Sequence, residues 1–225
     1  MPEYTSVDFL KAQPTNQDVL NAIKSRRLKF KPGSRMRYSN SGYAMLALVV
    51  ESVSKRPFGA YADRFVFKPA KMQSAVVPGI HWQKVPNRAV GYNRVAGRYF
   101  RDDHDTYNGV VGDSGIYASV ADLDRWLTAV FGHKLVRKSS LDTALRPMRQ
   151  GNSEFTYGYG WSLDRISGQT IAWHDGSWVG FNTFVARVVG QKANVIVLTN
   201  AGLDNRGIEV ADLGFSLVTW LVANP

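Results

Sequence analysis

The sequence contains no cysteine. Disulfide bridges, thiolate nucleophiles and cysteine-held zinc are therefore excluded, although a secreted protein need not use disulfides and the compartment stays open. No apolar run approaches the roughly 18 residues that cross a bilayer. The opening stretch MPEYTSVDFLKAQPTNQ lacks the basic-then-apolar layout of a secretion signal. Acids are scarce: 18 Asp and Glu against 28 Lys and Arg leave a formal net charge of +10. Lys24, Arg26, Arg27, Lys29, Lys31, Arg35 and Arg37 follow one another with no acid between them. No nucleic-acid-binding motif accompanies this run, so it reads as a solvated helix end and loop, and no nucleic-acid partner is expected. Attraction to an anionic polymer remains an alternative.

What is present suits a globular chain. At 225 residues and 44% hydrophobic content there is enough apolar surface for a real core. No repeat, low-complexity tract or long linker interrupts it. Thr15 and Asp18 form a cap that opens a short helix with Val19, Leu20 and Ile23 inward. A second helix is predicted from about Ser41 to Ser54, with Tyr43, Leu46, Val50 and Val53 on the periodic face. A shorter one follows near Tyr61 to Phe67. Val76 to Gly112 reads as a long loop region with short strands at most, and loops of that length are often functional. Ser119 and Asp122 cap a further helix with Leu123, Trp126, Leu127 and Val130 as its stripe.

The last third changes period. Ile166 to Trp173, Trp178 to Val189 and Ala193 to Asn200 read as three consecutive strands, with Gly176 and Gly190 to Lys192 as turns. Ile208 to Val222 reads as a terminal helix with Ile208, Leu213, Leu217 and Leu221 inward. Helices first, then an antiparallel meander, then a helix give an α+β fold. We expect one domain over 1–225, with a helical and loop-rich part at 1–150 and the strands with their terminal helix at 151–225.

Two short stretches carry chemistry-bearing side chains. In MRYSNSGYAMLALVV, Ser39 has no G-x-S-x-G elbow around it, and Asn40 can simply cap the following helix. In AWHDGSWVGFNTF, a strand is expected to end in His174-Asp175-Gly176, where the absence of a side chain lets a substrate backbone approach. An ordinary hairpin with a chance histidine is the competing reading.

Taken together, YSN before a helix and HxG on a strand well over a hundred residues later resemble the serine β-lactamase and D-alanyl-D-alanine carboxypeptidase superfamily, in its class C-like branch with the related esterases. FKPGSRMRYSNSGYAMLALVVESVSKRPFGAYADRFVFKPAKM is similar to the segment around that family's second motif, GDSGIYASVADLDRW to its Gly-rich turn into a helix, and YGYGWSL to the approach to its third-motif strand. The resemblance implies an acyl-enzyme hydrolase acting on a peptide, ester or lactam carbonyl, with no cofactor and no metal. It implies that Tyr38 exchanges protons with the nucleophile and leaving group. It implies that Asn40 bonds the substrate and that His174 stands where the lactamases place the lysine of K-T-G. Gly176 keeps the strand edge open, and the Ser177 N–H supplies half of the oxyanion hole. Ser114, Tyr159 and Trp178 are expected at the cleft rim; for the aromatics Tyr157, Tyr159, Trp161 and Trp178, lining the cleft and packing in the core are equal alternatives. Histidine in place of lysine leans toward peptidase or esterase activity. A periplasmic or secreted location is implied by the family alone.

One departure matters. The family's nucleophile lies in an S-x-x-K motif upstream of YSN, and no such motif precedes Tyr38 in these residues. Ser52-Val53-Ser54-Lys55 fits the pattern literally, but at the last turn of the predicted helix, where the helix dipole opposes an alkoxide. The expectation is a chain that lacks the nucleophile's segment and is a poor hydrolase alone, the alternative being a non-catalytic binding or assembly module. The absent segment would leave Ala193–Asn200 as an uncharged sheet edge open to a second copy or to a complementing N-terminal segment. Asp102, Asp103, His104 and Asp105 read as an exposed polar loop in preference to a metal site.

Overall fold

Thr15 and Asp18 open the first helix as their spacing predicts. In the computed structural model, which describes residues 3–6, 13–148, 157–202 and 210–224, α1 spans Asn16–Ile23. The Asp18 carboxylate reaches back to accept the Thr15 N–H at 2.9 Å. Residue contacts divide the chain into two compact units, 1–88 with 105–119, and 89–104 with 120–225.

In the first unit, α1 packs with α2 (Asn40–Ser54), and α3 (Phe58–Ala62) runs on into a π-helical turn at Asp63–Phe67. Val19 and Ile23 of α1 are buried with Ala44 of α2, Tyr4 and Val110. The inward face of α2 differs from the periodic face read in the sequence. Ser41, Ala44 and Ala47 are buried, whereas Leu46 and Val53 are exposed. The cause is close approach. Gly112, at φ +103°, lies against the Tyr43 carbonyl and the Ala47 methyl, and only small α2 residues leave that room. A helix that is apolar nearly all round gives no single period to read.

The second unit begins with a hairpin of β1 (Tyr92–Val95) and β2 (Arg98–Arg101). Its two turn residues, Ala96 and Gly97, both have positive φ, as a tight primed turn requires. Two helices follow, α4 (Val120–Phe131) and α5 (Lys138–Ala144). Then comes an antiparallel meander of four strands among the described residues: β3 (Ser162–Ile166), β4 (Gln169–Trp178), β5 (Phe181–Val188) and β6 (Ala193–Thr199), in that spatial order. The final helix, α6, spans Val210–Ala223. The α+β architecture with a C-terminal meander is therefore present. Successive residues point to opposite faces. Ile171 joins Phe184, Val188, Val218 and Val222 beneath α6, while Ala172 joins Leu127, Trp161 and Leu163 beneath α4. Buried Arg187 donates to Asn194 at 2.8 Å, and Asn194 donates to Asp124 at 2.7 Å, tying β5 and β6 to α4.

Three details depart from the sequence reading. A strand, β3, precedes the three expected ones. Gly176 lies inside β4, and the turn falls instead at Val179-Gly180, with Val179 at φ 45° and Gly180 packed on the backbone of Gly91 and Tyr92. On α6 the buried face is Gly214, Val218 and Val222, with Leu213 and Leu217 exposed. Gly214 sets this rotation, because its backbone lies directly on the Phe184 ring. Ile208 lies outside the described residues.

Candidate active site

In the first unit, the YSN segment is a helix start held from behind. Ser39 is the N-cap of α2, and its Oγ accepts the Gly42 N–H at 3.1 Å. The capping role expected of Asn40 thus belongs to Ser39, and Asn40 is the first residue of the helix. Tyr38 is 43% exposed, with its ring 5.9 Å from that of Tyr43. One turn inward, fully buried Ser41 accepts the Tyr4 N–H on Oγ at 2.8 Å, and its own N–H donates to Glu3 at 3.2 Å. The buried Tyr4 hydroxyl donates to Asp113 Oδ2 at 2.5 Å. Burial raises the pKa of both groups, and in Tyr4 the neighbouring Asp113 charge adds to it. Asp113 and half-buried Ser114 belong to a turn in which Gly112 and Gly115 both take positive φ. Asp113 is thus the fastening point of the GDSG turn, a use that its sequence context did not disclose.

In the second unit, β3 pairs with β4 only as far as Ser162↔Trp173. From His174 to Trp178 that side of β4 has no strand beside it among the described residues, although its other side stays paired with β5 through Trp178↔Phe181. Asp175, Gly176 and Ser177 are exposed there, and Trp178 is half-buried. Gly176 faces Thr183 across the ladder, whose Oγ1 a Cβ would approach to 2.9 Å. Both ring nitrogens of His174 are engaged. Nδ1 lies 2.6 Å from the Asp175 carbonyl oxygen and Nε2 lies 3.1 Å from the Tyr157 hydroxyl. Tyr157 is the residue the sequence reading left undistinguished among possible cleft aromatics. Tyr159 is 65% exposed and borders a hollow of about 460 Å³ with Ser139, Ser140, Thr143 and Ala144.

Two other candidates resolve into structural work. Lys55 of the S-x-x-K decoy is the left-handed residue that ends α2, and Ser52 is an exposed last-turn residue. In the acidic loop, Asp102 accepts from the Asn93 amide, Asp103 is buried and accepts from Gly91 N–H and Arg101, and Asp105 caps a short 3-10 turn. Among the described residues no helix is long and apolar enough to cross a membrane.

Residues 1–214 match a family model described as Beta-lactamase. The chain belongs to the β-lactamase family. Members of this β-lactamase-like serine hydrolase family include relatives with quite different names. Penicillin-binding protein 4* of Bacillus subtilis is 28% identical over 209 residues, which cover 82% of this chain and 44% of that protein. A D-aminopeptidase of Cereibacter sphaeroides is 27% identical over 180 residues, covering 76% of this chain and 33% of the relative. Among solved structures, an octameric penicillin-binding protein homologue from Pyrococcus abyssi shares the fold with a TM-score of 0.82 at 21% identity, covering 97% of this chain and 49% of that one. The chain thus spans less than half the length of each of these relatives.

Proposed function

We propose that this chain carries the proton-handling and substrate-holding parts of a serine acyl-transfer site of the D-Ala-D-Ala peptidase, esterase or β-lactamase type. The observation that carries this reading is the side of β4 at Asp175–Ser177, beyond the end of β3, beside which no strand lies among the described residues. A substrate backbone can add there as a strand, and Gly176 presents no side chain against it. A two-residue turn makes Trp178 and Phe181 a hydrogen-bonded pair. Alternation then turns the Ser177 N–H outward, toward the substrate carbonyl oxygen.

In this reaction a serine hydroxyl adds to the carbonyl carbon, its proton passes through the Tyr38 phenol to the departing amine or alcohol, and water reverses the sequence to free the acid. Asn40 bonds the substrate amide or ester, and His174 orients the site. Ser114, Tyr159 and Trp178 form the rim. Histidine at 174 favours peptides and esters over lactams, in keeping with the D-aminopeptidase relative.

The attacking serine lies in an S-x-x-K pair that these 225 residues do not place ahead of Tyr38. Ser39 is committed as a cap and Ser52 sits at the wrong end of its helix. Losing the nucleophile of a cooperating set lowers turnover on the order of a million-fold. The chain alone is therefore a poor hydrolase. The same observation supports a second reading, a binding module that keeps the substrate strand without turnover. A fluorophosphonate or β-lactam probe followed by intact mass tests the missing nucleophile: no adduct is expected on the chain alone, and a stoichiometric adduct would place catalysis within these residues and overturn both readings.

The outer side of β6 supports a partner. Among the described residues it has no neighbouring strand over Ala193–Thr199, and Tyr92 bonds only the residues just beyond, at Asn200 and Gly202. Exposed Leu213, Leu217 and Trp220 line α6, the helix packed against β5 and β6. Strand pairing along β6, by a second copy or a complementing N-terminal segment, would extend the sheet and cover that stripe.

A further inference from the structure

We propose that Tyr157 is a positioning residue that sets the tautomer and orientation of His174. The inference rests on the assignment of His174 to the acyl-transfer site and adds how that ring is held.

The Asp175 carbonyl oxygen can only accept, so the 2.6 Å contact from Nδ1 requires the proton on Nδ1. In the neutral ring Nε2 then carries a lone pair, and the Tyr157 O–H at 3.1 Å donates to it. The phenol favours the Nδ1–H form from the other side, because a phenol is a stronger hydrogen-bond donor than acceptor and the opposite tautomer would use its oxygen as the acceptor. His174 therefore enters the site with both nitrogens occupied. It orients and polarises, and Tyr38 is left as the group that moves the proton.

The surrounding turn is built to present this hydroxyl. Tyr157 is 6% exposed, and its carbonyl accepts the Met148 N–H at 2.8 Å. Gly158 N–H donates to the Trp161 carbonyl at 2.7 Å, and the Gly158 backbone lies directly on the Ala144 carbonyl. Gly160 takes φ +81°, a conformation that favours glycine. Trp161 anchors the turn by stacking on Trp126 at 5.6 Å and meeting Phe131 edge-on. Each glycine and the tryptophan of YGYGW thus has a geometric reason. The rings of Tyr157 and His174 meet edge-to-face, a contact that phenylalanine would reproduce. Only the hydroxyl distinguishes positioning from packing.

Long-range proton–nitrogen spectra of the full chain with labelled histidine test this. The chain has four histidines, and His174→Gln assigns the ring. Above the ordinary histidine titration range, the wild type is expected to show Nδ1 as the protonated nitrogen. Tyr157→Phe is expected to lower the Nδ1–H to Nε2–H ratio by up to about fivefold, the effect of one ordinary hydrogen bond being the upper bound, whereas Tyr159→Phe leaves it unchanged. Fluorinated tyrosine, a stronger donor in an undisturbed fold, should move the Nε2 resonance without loss of structure. A wild-type ring protonated on Nε2, or a Tyr157→Phe ring with unchanged shifts, would overturn the proposal and leave the acyl-transfer reading standing. A covalent adduct on Ser39 or Ser52 would overturn that reading and leave the spectrum untouched.

Discussion

The backbone of Gly158 lies against the carbonyl oxygen of Ala144, so close that a Cβ at position 158 would overlap it. The obstacle is main chain, which cannot rotate away as a side-chain tip can. Gly158→Ala should therefore displace the YGYGW turn and lower stability by about 1–3 kcal/mol, the range for an inserted methyl group in packed surroundings. Thermal unfolding measures the loss, and the His174 nitrogen shifts should move with it. An alanine variant as stable as the wild type would remove the steric reason for this glycine.

Asp113 gives a pH dependence with a definite sign. Burial holds its carboxyl above the ordinary carboxylate pKa, against the opposing Tyr4 hydrogen bond. Such a group binds its proton more tightly when folded than unfolded. Its contribution to stability therefore falls as pH rises from the unfolded value through the raised folded one. Asp113→Asn keeps an oxygen for the Tyr4 hydroxyl and removes the titration. The Tm of the variant minus that of the wild type should grow as pH increases across that window. A constant difference from acid to neutral pH would contradict the burial of an ionised Asp113.

Ser39 should behave as a cap. Ser39→Ala removes the acceptor for the Gly42 N–H and should cost about 1 kcal/mol, with glycine at the same position costing only a few tenths. Tyr38→Phe, 43% exposed and next to it, should change stability little. Denaturant melts of the three variants check the order.

Self-association through β6 and α6 would be concentration-dependent. Light scattering should show mass rising with concentration, and Leu217→Glu with Trp220→Glu should return it toward the monomer. A monomer at high concentration in the wild type would argue against a second copy as the occupant and leave a complementing segment.

The parts of the fold legible in the sequence were those with local causes. Thr15–Asp18 marks a helix start because the capping partners are three residues apart. The meander was visible through its alternation. β3 was not, since SLDRI has one buried residue, Leu163, between polar neighbours. Gly176 read as a turn because glycine commonly interrupts strands, whereas the true turn places a β-branched Val179 at positive φ, against every local preference. The faces of α2 and α6 were misjudged because Gly112 and Gly214 choose them through contacts distant in sequence. Tyr38, Asn40 and His174 stood out by family resemblance. Tyr157 did not, since its hydroxyl acquires meaning only when the turn folds it onto a ring 17 residues away.

Covalent labelling bears most directly on the central claim that Tyr38 and His174 serve a nucleophile outside the serines of this chain. The 225-residue protein is incubated with excess fluorophosphonate probe and its intact mass is measured. An unmodified mass is expected. A single stoichiometric adduct, mapped to Ser39, Ser52 or any other serine of this sequence, would contradict it.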